Sequence, residues 1–109
     1  MRYIIYGAGG IGSSMGGHLL RTGHESLLIG RLGHVNAINS SGLTLNTPQE
    51  TYKLDIPAVT APANIEWRDD DLVILCMKSQ DTEDALRTLL SAGPDPTRIP
   101  IFCAQNSNT

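Results

Sequence analysis

At 109 residues, 40% hydrophobic and 17% charged, the chain is sized for one ordinary globular domain. A formal net charge of −3 without a Lys/Arg cluster argues against a nucleic-acid partner, and no apolar run approaches the ~20 residues that span a bilayer. The N-terminus lacks the apolar stretch of a secretory signal, and Cys76 and Cys103 have neither metal-ligand nor CxxC spacing, so a reduced, cytoplasmic compartment is expected.

Residues 1–6, with the continuous apolar run Tyr3-Ile4-Ile5-Tyr6, predict a parallel strand covered on both faces. Gly7-Ala8-Gly9-Gly10-Ile11-Gly12 follows and opens into Ser13-Ser14-Met15-Gly16-Gly17-His18-Leu19-Leu20. Read as strand, tight turn and helix, this is G-x-G-x-x-G in the context that binds a dinucleotide. Gly7 permits the turn, Gly9 lets a pyrophosphate approach the backbone, and Gly12 lets the helix pack close to the strand. The phosphates would sit on free N–H groups at the positive end of the helix. Gly7, Ala8, Gly9, Gly10, Ile11 and Gly12 are therefore candidate cofactor-binding residues. The competing reading is a structural Gly-rich turn.

The helix is predicted over 10–22, with Ile11, Met15, Leu19 and Leu20 on one face and Gly23 as its stop. Gly12 and Gly16 keep that face thin. Ser26-Leu27-Leu28-Ile29 is a second strand, completing a βαβ unit. Gly30 stands where an NAD-specific site carries a carboxylate, and Arg31 follows. A carboxylate repels a ribose 2′-phosphate, whereas a guanidinium binds it bidentately, so NADP(H) is the expected cofactor. The alternative for Arg31 is a solvated loop cation.

Residues 34–40 read as a short helix with Val35 and Ile38 inward and Gly42 as its stop. Leu43-Thr44-Leu45 and Tyr52-Lys53-Leu54-Asp55-Ile56 alternate around a turn-rich stretch, which predicts a β-hairpin or two short strands. Residues 57–67, with Pro57 and Pro62, are expected to be a loop with little regular structure. Asp69-Asp70-Asp71 reads as a solvated turn, because three consecutive side chains cannot converge on one metal ion. Leu72 to Cys76 is a buried parallel strand. A helix over 82–91 follows, with Asp81 as N-cap, Ala85, Leu86, Leu89 and Leu90 as its core face, and Gly93-Pro94 as its terminator. Residues 99–103 form a last strand whose regular part starts after Pro100. The cysteines are expected to be packed core thiols. His18, His24 and His34 lack ligand spacing, so no metal site is expected. Ser13 and Ser14 are read equally as phosphate contacts or as small packing residues.

This pattern resembles the N-terminal domain of the ketopantoate reductase (2-dehydropantoate 2-reductase) family. The matching residues are the Gly7-to-Gly12 turn, Gly23-His24, Arg31, and the segment ending in Ser41-Gly42-Leu43-Thr44-Leu45. Asp71-Leu72-Val73, Met77-Lys78, Asp81-Thr82 with Ala85-Leu86, and Gln105-Asn106 complete the match over nearly the whole chain. The resemblance implies an oxidoreductase that uses NADPH to reduce 2-dehydropantoate to (R)-pantoate, in pantothenate and coenzyme A biosynthesis. It assigns Arg31 to the 2′-phosphate, Lys78 to a further cofactor contact, and Asn106 to the junction of cofactor and substrate. Asn106 also falls just past a parallel strand, where open α/β sheets bind ligands. The family usually carries Gly after that asparagine, and this chain has Ser107.

The expected fold is thus an α/β Rossmann-type parallel sheet with helices on both faces and a small hairpin insertion. Residues 1–109 are read as an incomplete N-terminal NADP-binding domain. The resemblance places the proton-donating lysine and its supporting carboxylate in a helical C-terminal domain, a partner outside this chain. On that reading no catalytic residue is present, and the 109 residues alone are expected to be inactive. Alternative readings are a reductase of another 2-oxo acid and a non-catalytic dinucleotide-sensing protein. Oligomeric state has no signature in the sequence.

Overall fold

Continuous apolar runs, bracketed by glycine and polar turns, become the middle of a sheet. The computed structural model describes residues 1–7, 10–77, 79–92 and 97–104, with 10, 11, 79 and 80 described by backbone alone. In chain order the elements are β1 (Arg2–Tyr6), α1 (Gly10–Arg21), β2 (Glu25–Ile29), α2 (Leu32–Ser41), β3 (Leu43–Asn46), β4 (Thr51–Leu54) and β5 (Ala58–Val59). A 3₁₀ turn (Pro62–Asn64), β6 (Asp71–Leu75), α3 (Ser79–Ser91) and β7 (Ile101–Cys103) follow. The five-stranded sheet has the order β5-β2-β1-β6-β7 and is parallel throughout. With the hairpin strands set aside, this is the doubly wound order 3-2-1-4-5 of a Rossmann-type fold.

Alternate residues of each central strand feed opposite cores. Ile4, Leu27, Ile29, Val73 and Leu75 pack on one face with Leu89 of α3, Ile65 and Ile99. Ile5, Leu28 and Ala58 pack on the other with Val35 and Ile38 of α2, Leu43 of β3 and Ile56. Both faces are covered, so the strands are apolar without alternation. Helix α1 lies on the second face through Met15, Leu19 and Leu20. A Cβ on Gly16 would come within 2.8 Å of Leu28 Cδ2, and one on Gly17 within 3.3 Å of Leu54 Cδ1, so glycine lets α1 approach both sheet and hairpin. The helix ends in a Schellman arrangement: Gly23 N–H donates to Leu20 O and His24 N–H to Leu19 O, with Gly23 at φ +92. Helix α2 ends where Gly42 N–H donates to Ile38 O.

Antiparallel β3 and β4 form a separate two-stranded hairpin, with Leu43 opposite Leu54 and Leu45 opposite Tyr52. Leu43 and Leu45 are buried, and Arg21 lies 3.6 Å from the centroid of the Tyr52 ring, tying α1 to the hairpin.

Several expectations are corrected. Residues 57–67, expected to be a loop with little regular structure, include a strand that was not expected: Ala58 and Val59 pair with Leu28 and Ile29 as a parallel edge strand, followed by the 3₁₀ turn. Two residues are too few to show periodicity, and the pairing is wholly tertiary. The aspartate triplet is not a uniformly solvated turn. Asp71 opens β6 at 1% exposure and binds the buried Arg2 through both carboxylate oxygens, at 2.7 Å each. Asp70 meets the N-terminal ammonium at 3.3 Å and Asp69 meets Arg98 at 2.9 Å, so the three carboxylates serve three different cations. Helix α3 begins at Ser79, which puts Asp81 inside its first turn rather than at the N-cap. The helix dipole favours a carboxylate at either position, so composition alone does not separate them. Leu90 is exposed, because α3 reaches the sheet through Ala85 and Leu89 with Leu86 at the margin. Cys76 is half-buried and Cys103 is exposed on edge strand β7, so the thiols are not a packed core pair.

Candidate functional site

The C-terminal ends of the parallel strands open on one cleft of about 520 Å³. Tyr6 and Gly7 enter it from β1, Ile29, Gly30 and Arg31 from β2, Thr60 from β5, and Cys76 and Met77 from β6. Asp81, Asp84, Ala85 and Thr88 of α3 and His34 of α2 complete the wall. The strand order reverses at β1, whose neighbours are β2 and β6, so the cleft lies at the switch point where open α/β sheets take ligands.

The sheet ladder continues beyond the strands and fixes this rim. Gly7 N–H donates to Ile29 O at 2.8 Å, Cys76 N–H to Tyr6 O at 2.8 Å, and Gly30 N–H to Val59 O at 3.0 Å. Gly7 turns the chain at φ +101, and a Cβ there would stand 2.7 Å from the Cys76 carbonyl oxygen. A Cβ on Gly12 would overlap the Gly7 carbonyl oxygen. The first and last glycines of the motif thus let strand, turn and helix come together, leaving the start of α1 beside the cleft rim. Of the other candidate residues, Ala8, Gly9, Lys78 and Asn106 lie outside the described residues, as do Gln105, Ser107 and the Gly93-Pro94 terminator. Gly10 and Ile11 are described as the first backbone positions of α1.

Arg31 stands at the N-cap of α2, extended at φ −73 and ψ 154, and its carbonyl accepts Val35 N–H at 2.9 Å. Its side chain is exposed on the cleft. The other arginines are committed elsewhere. Arg2 pairs with Asp71, Arg68 with Glu25, Arg87 with Glu83 and Asp84, Arg98 with Asp69, and Arg21 lies over Tyr52. Among the described residues, Arg31 is the arginine with neither a carboxylate nor a ring as partner. No carboxylate follows β2; those lining the cleft, Asp81 and Asp84, belong to α3. Burial raises the pKa values of the Tyr6 hydroxyl and the Cys76 thiol, so both cleft groups are neutral near pH 7.

Sequence reasoning missed Thr60, His34 and the α3 side chains as lining residues. Thr60 was hidden because β5 was. The sequence marks His34 only as a histidine without ligand spacing, and among the described residues no cluster of three His, Cys, Asp or Glu side chains could hold a metal ion. Ser13 and Ser14 line a second cleft of about 480 Å³, between α1, α2 and β3, rather than the first.

The family model for ketopantoate reductase PanE/ApbA matches residues 3–108. This chain belongs to the ketopantoate reductase family. It is 41% identical over 88 residues to a 2-dehydropantoate 2-reductase of Pyrococcus horikoshii, covering 81% of this chain and 28% of that protein. The crystal structure of a PanE/ApbA family ketopantoate reductase from Ralstonia eutropha JMP134 superposes at TM-score 0.86 with 36% identity, over 97% of this chain and 34% of that one. D-Mandelate dehydrogenase in its ternary structure with NADH and anilino(oxo)acetate superposes at TM-score 0.81 with 31% identity, over 97% of this chain and 33% of that one. The chain thus spans about a third of the length of these relatives. Among the described residues, no helix is long and apolar enough to cross a membrane.

Proposed function

We propose that this chain is the NADP(H)-binding part of a 2-dehydropantoate 2-reductase, an enzyme that reduces 2-dehydropantoate to (R)-pantoate. The observation that carries the cofactor reading is Arg31: an arginine without an ion pair among the described residues, in the switch-point cleft, after a strand whose end lacks a carboxylate. The turn keeps the glycine that a dinucleotide fingerprint needs at its first position, since Gly7 lies at φ +101 and a Cβ there would stand 2.7 Å from the Cys76 carbonyl oxygen. Gly7 to Gly12 hold the pyrophosphate, with Ala8, Gly9, Gly10 and Ile11 offering backbone N–H groups. Arg31 binds the 2′-phosphate and fixes the adenosine end. Lys78 adds a cofactor contact, and Asn106 orients the substrate beside the nicotinamide.

NADPH supplies the hydride for the C2 carbonyl when bound. This chain binds, orients and shields; it donates no proton in this account. The proton comes from a lysine, with a supporting carboxylate, in a further domain of the same protein. Coverage of about a third of the relatives supports that division.

The likeness to D-mandelate dehydrogenase favours a second reading, reduction of another 2-oxo acid. A substrate panel on the full-length protein separates the two. Ketopantoate turned over with the highest kcat/KM supports the first reading. A strong preference for an aryl 2-oxo acid replaces it with the second, and binding without turnover of any 2-oxo acid replaces both with a sensing role.

A further inference from the structure

His34 is an ionisable cleft residue to which the proposed function gives no task. It follows Arg31 by three positions, and α2 starts at Leu32, so both residues stand at the start of that helix, where positions three apart are neighbours. Both line the same cleft and both are exposed. Among the described residues neither side chain has a hydrogen-bond or ion-pair partner. Gly33, between them in sequence, adds no side chain, and a Cβ built there would meet nothing within 4 Å. Two nitrogen-bearing side chains thus stand three positions apart on the wall of one cleft.

We propose that His34 is a second ligand of the cofactor 2′-phosphate, gripping it together with Arg31 and making the preference for NADP(H) over NAD(H) pH-dependent. The inference rests on the NADP(H) reading above. An imidazolium donates from both ring nitrogens and carries charge, whereas the neutral ring donates from one and carries none. His34 thus strengthens the grip most in the charged form. The groups facing it are Arg31 from its own segment, Tyr6 and Cys76 from the sheet ends, and Asp81 and Asp84 from α3. On its other side, in the second cleft, Ser13, Ser14, Thr44 and Asn46 offer hydroxyl and amide groups. Only the phosphorylated cofactor brings an anion to His34, so the pH effect should appear in NADPH binding and not in NADH binding.

The test is equilibrium binding of NADPH and of NADH to the full-length protein at pH 6.5 and pH 8.5, for wild type, His34→Ala, His34→Gln and Arg31→Ala. The wild type should prefer NADPH more strongly at pH 6.5. His34→Ala should lose about fivefold in NADPH affinity at pH 6.5, the worth of an exposed charge pair at the top of its usual range, and less at pH 8.5. Its NADH affinity should hold within twofold. His34→Gln should keep a pH-independent part of the NADPH affinity through its amide donor. If Arg31→Ala removes the preference while His34→Ala leaves the NADPH affinity and its pH dependence unchanged, the inference fails and the cofactor reading stands. Equal loss of both cofactors in His34→Ala would show a structural role and overturn the inference. A wild type without NADPH preference overturns both.

Discussion

Asp71→Asn is expected to be among the most destabilising single changes away from the cleft. Arg2 and Asp71, 6% and 1% exposed, close a bidentate pair between neighbouring strands β1 and β6. Asp71 Oδ2 also accepts Arg68 N–H at 2.8 Å, and Arg2 Nη2 donates to Glu66 O at 2.9 Å. The asparagine has the carboxylate's shape but no charge, and it turns an amide donor toward a guanidinium that has no acceptor capacity. A buried cation left uncompensated costs about 3–5 kcal/mol, against a total stability of ~5–15 kcal/mol for a domain. With a urea slope of ~1–3 kcal/mol per molar, the midpoint should fall by roughly 2 M. Replacing both residues, Arg2→Met with Asp71→Leu, should recover most of that loss, because the desolvation cost disappears along with the attraction. The assay is urea unfolding followed by circular dichroism, with the single and double variants side by side. A midpoint shift below about 0.3 M for Asp71→Asn, or a double variant no better than the single, would refute the reasoning. The pair lies at the N-terminal ends of the strands whose C-terminal ends carry Gly7, Cys76 and Met77, so its loss should also loosen the cleft.

Gly7→Ala should lower NADPH and NADH affinity alike and cost about 1–3 kcal/mol of stability, because φ +101 and the 2.7 Å approach to Cys76 O both exclude a side chain. Cofactor titration together with thermal unfolding checks this, and an alanine variant with unchanged affinity would contradict the turn's role. A thiol reagent at pH 8 should label exposed Cys103 before Cys76, whose thiol is half-buried with its pKa raised by burial, and NADPH should protect Cys76 specifically. Mass spectrometry of partially labelled protein reads the order, and equal protection of both would place the cofactor elsewhere.

The features most legible in the sequence were those with local causes. Tyr3 to Tyr6, Leu27 to Ile29 and Leu72 to Leu75 are apolar without a break because both sheet faces are covered. Gly23 and Gly42 mark helix ends because left-handed backbone favours glycine there. Val35 and Ile38 faced inward as their spacing indicated, and the Leu43 and Leu45 alternation gave a hairpin strand. What stayed hidden was set by partners far along the chain. Nothing local separates Asp71 from Asp69 and Asp70; Arg2, 69 residues earlier, does. The β5 residues Ala58 and Val59 become a strand only because β2 offers an open edge. Leu90 fits a helical stripe, but α3 turns Leu89 and Ala85 into the core and leaves Leu90 exposed. At the cleft, Gly7 and Arg31 were legible as motif and position. Thr60, Asp84, Thr88 and His34 were not, because the adjoining elements bring them together in space.

Arg31 is the group proposed to select the phosphorylated cofactor, and its alanine variant tests that most directly. Equilibrium titration of wild type and Arg31→Ala with NADPH and with NADH gives the ratio of affinities for each protein. The expected result is a loss of about thirtyfold for NADPH, the worth of ~2 kcal/mol for a charge-assisted bidentate contact, with NADH binding changed less than twofold. Equal weakening of both cofactors, or a wild type that binds NADH as tightly as NADPH, would contradict it.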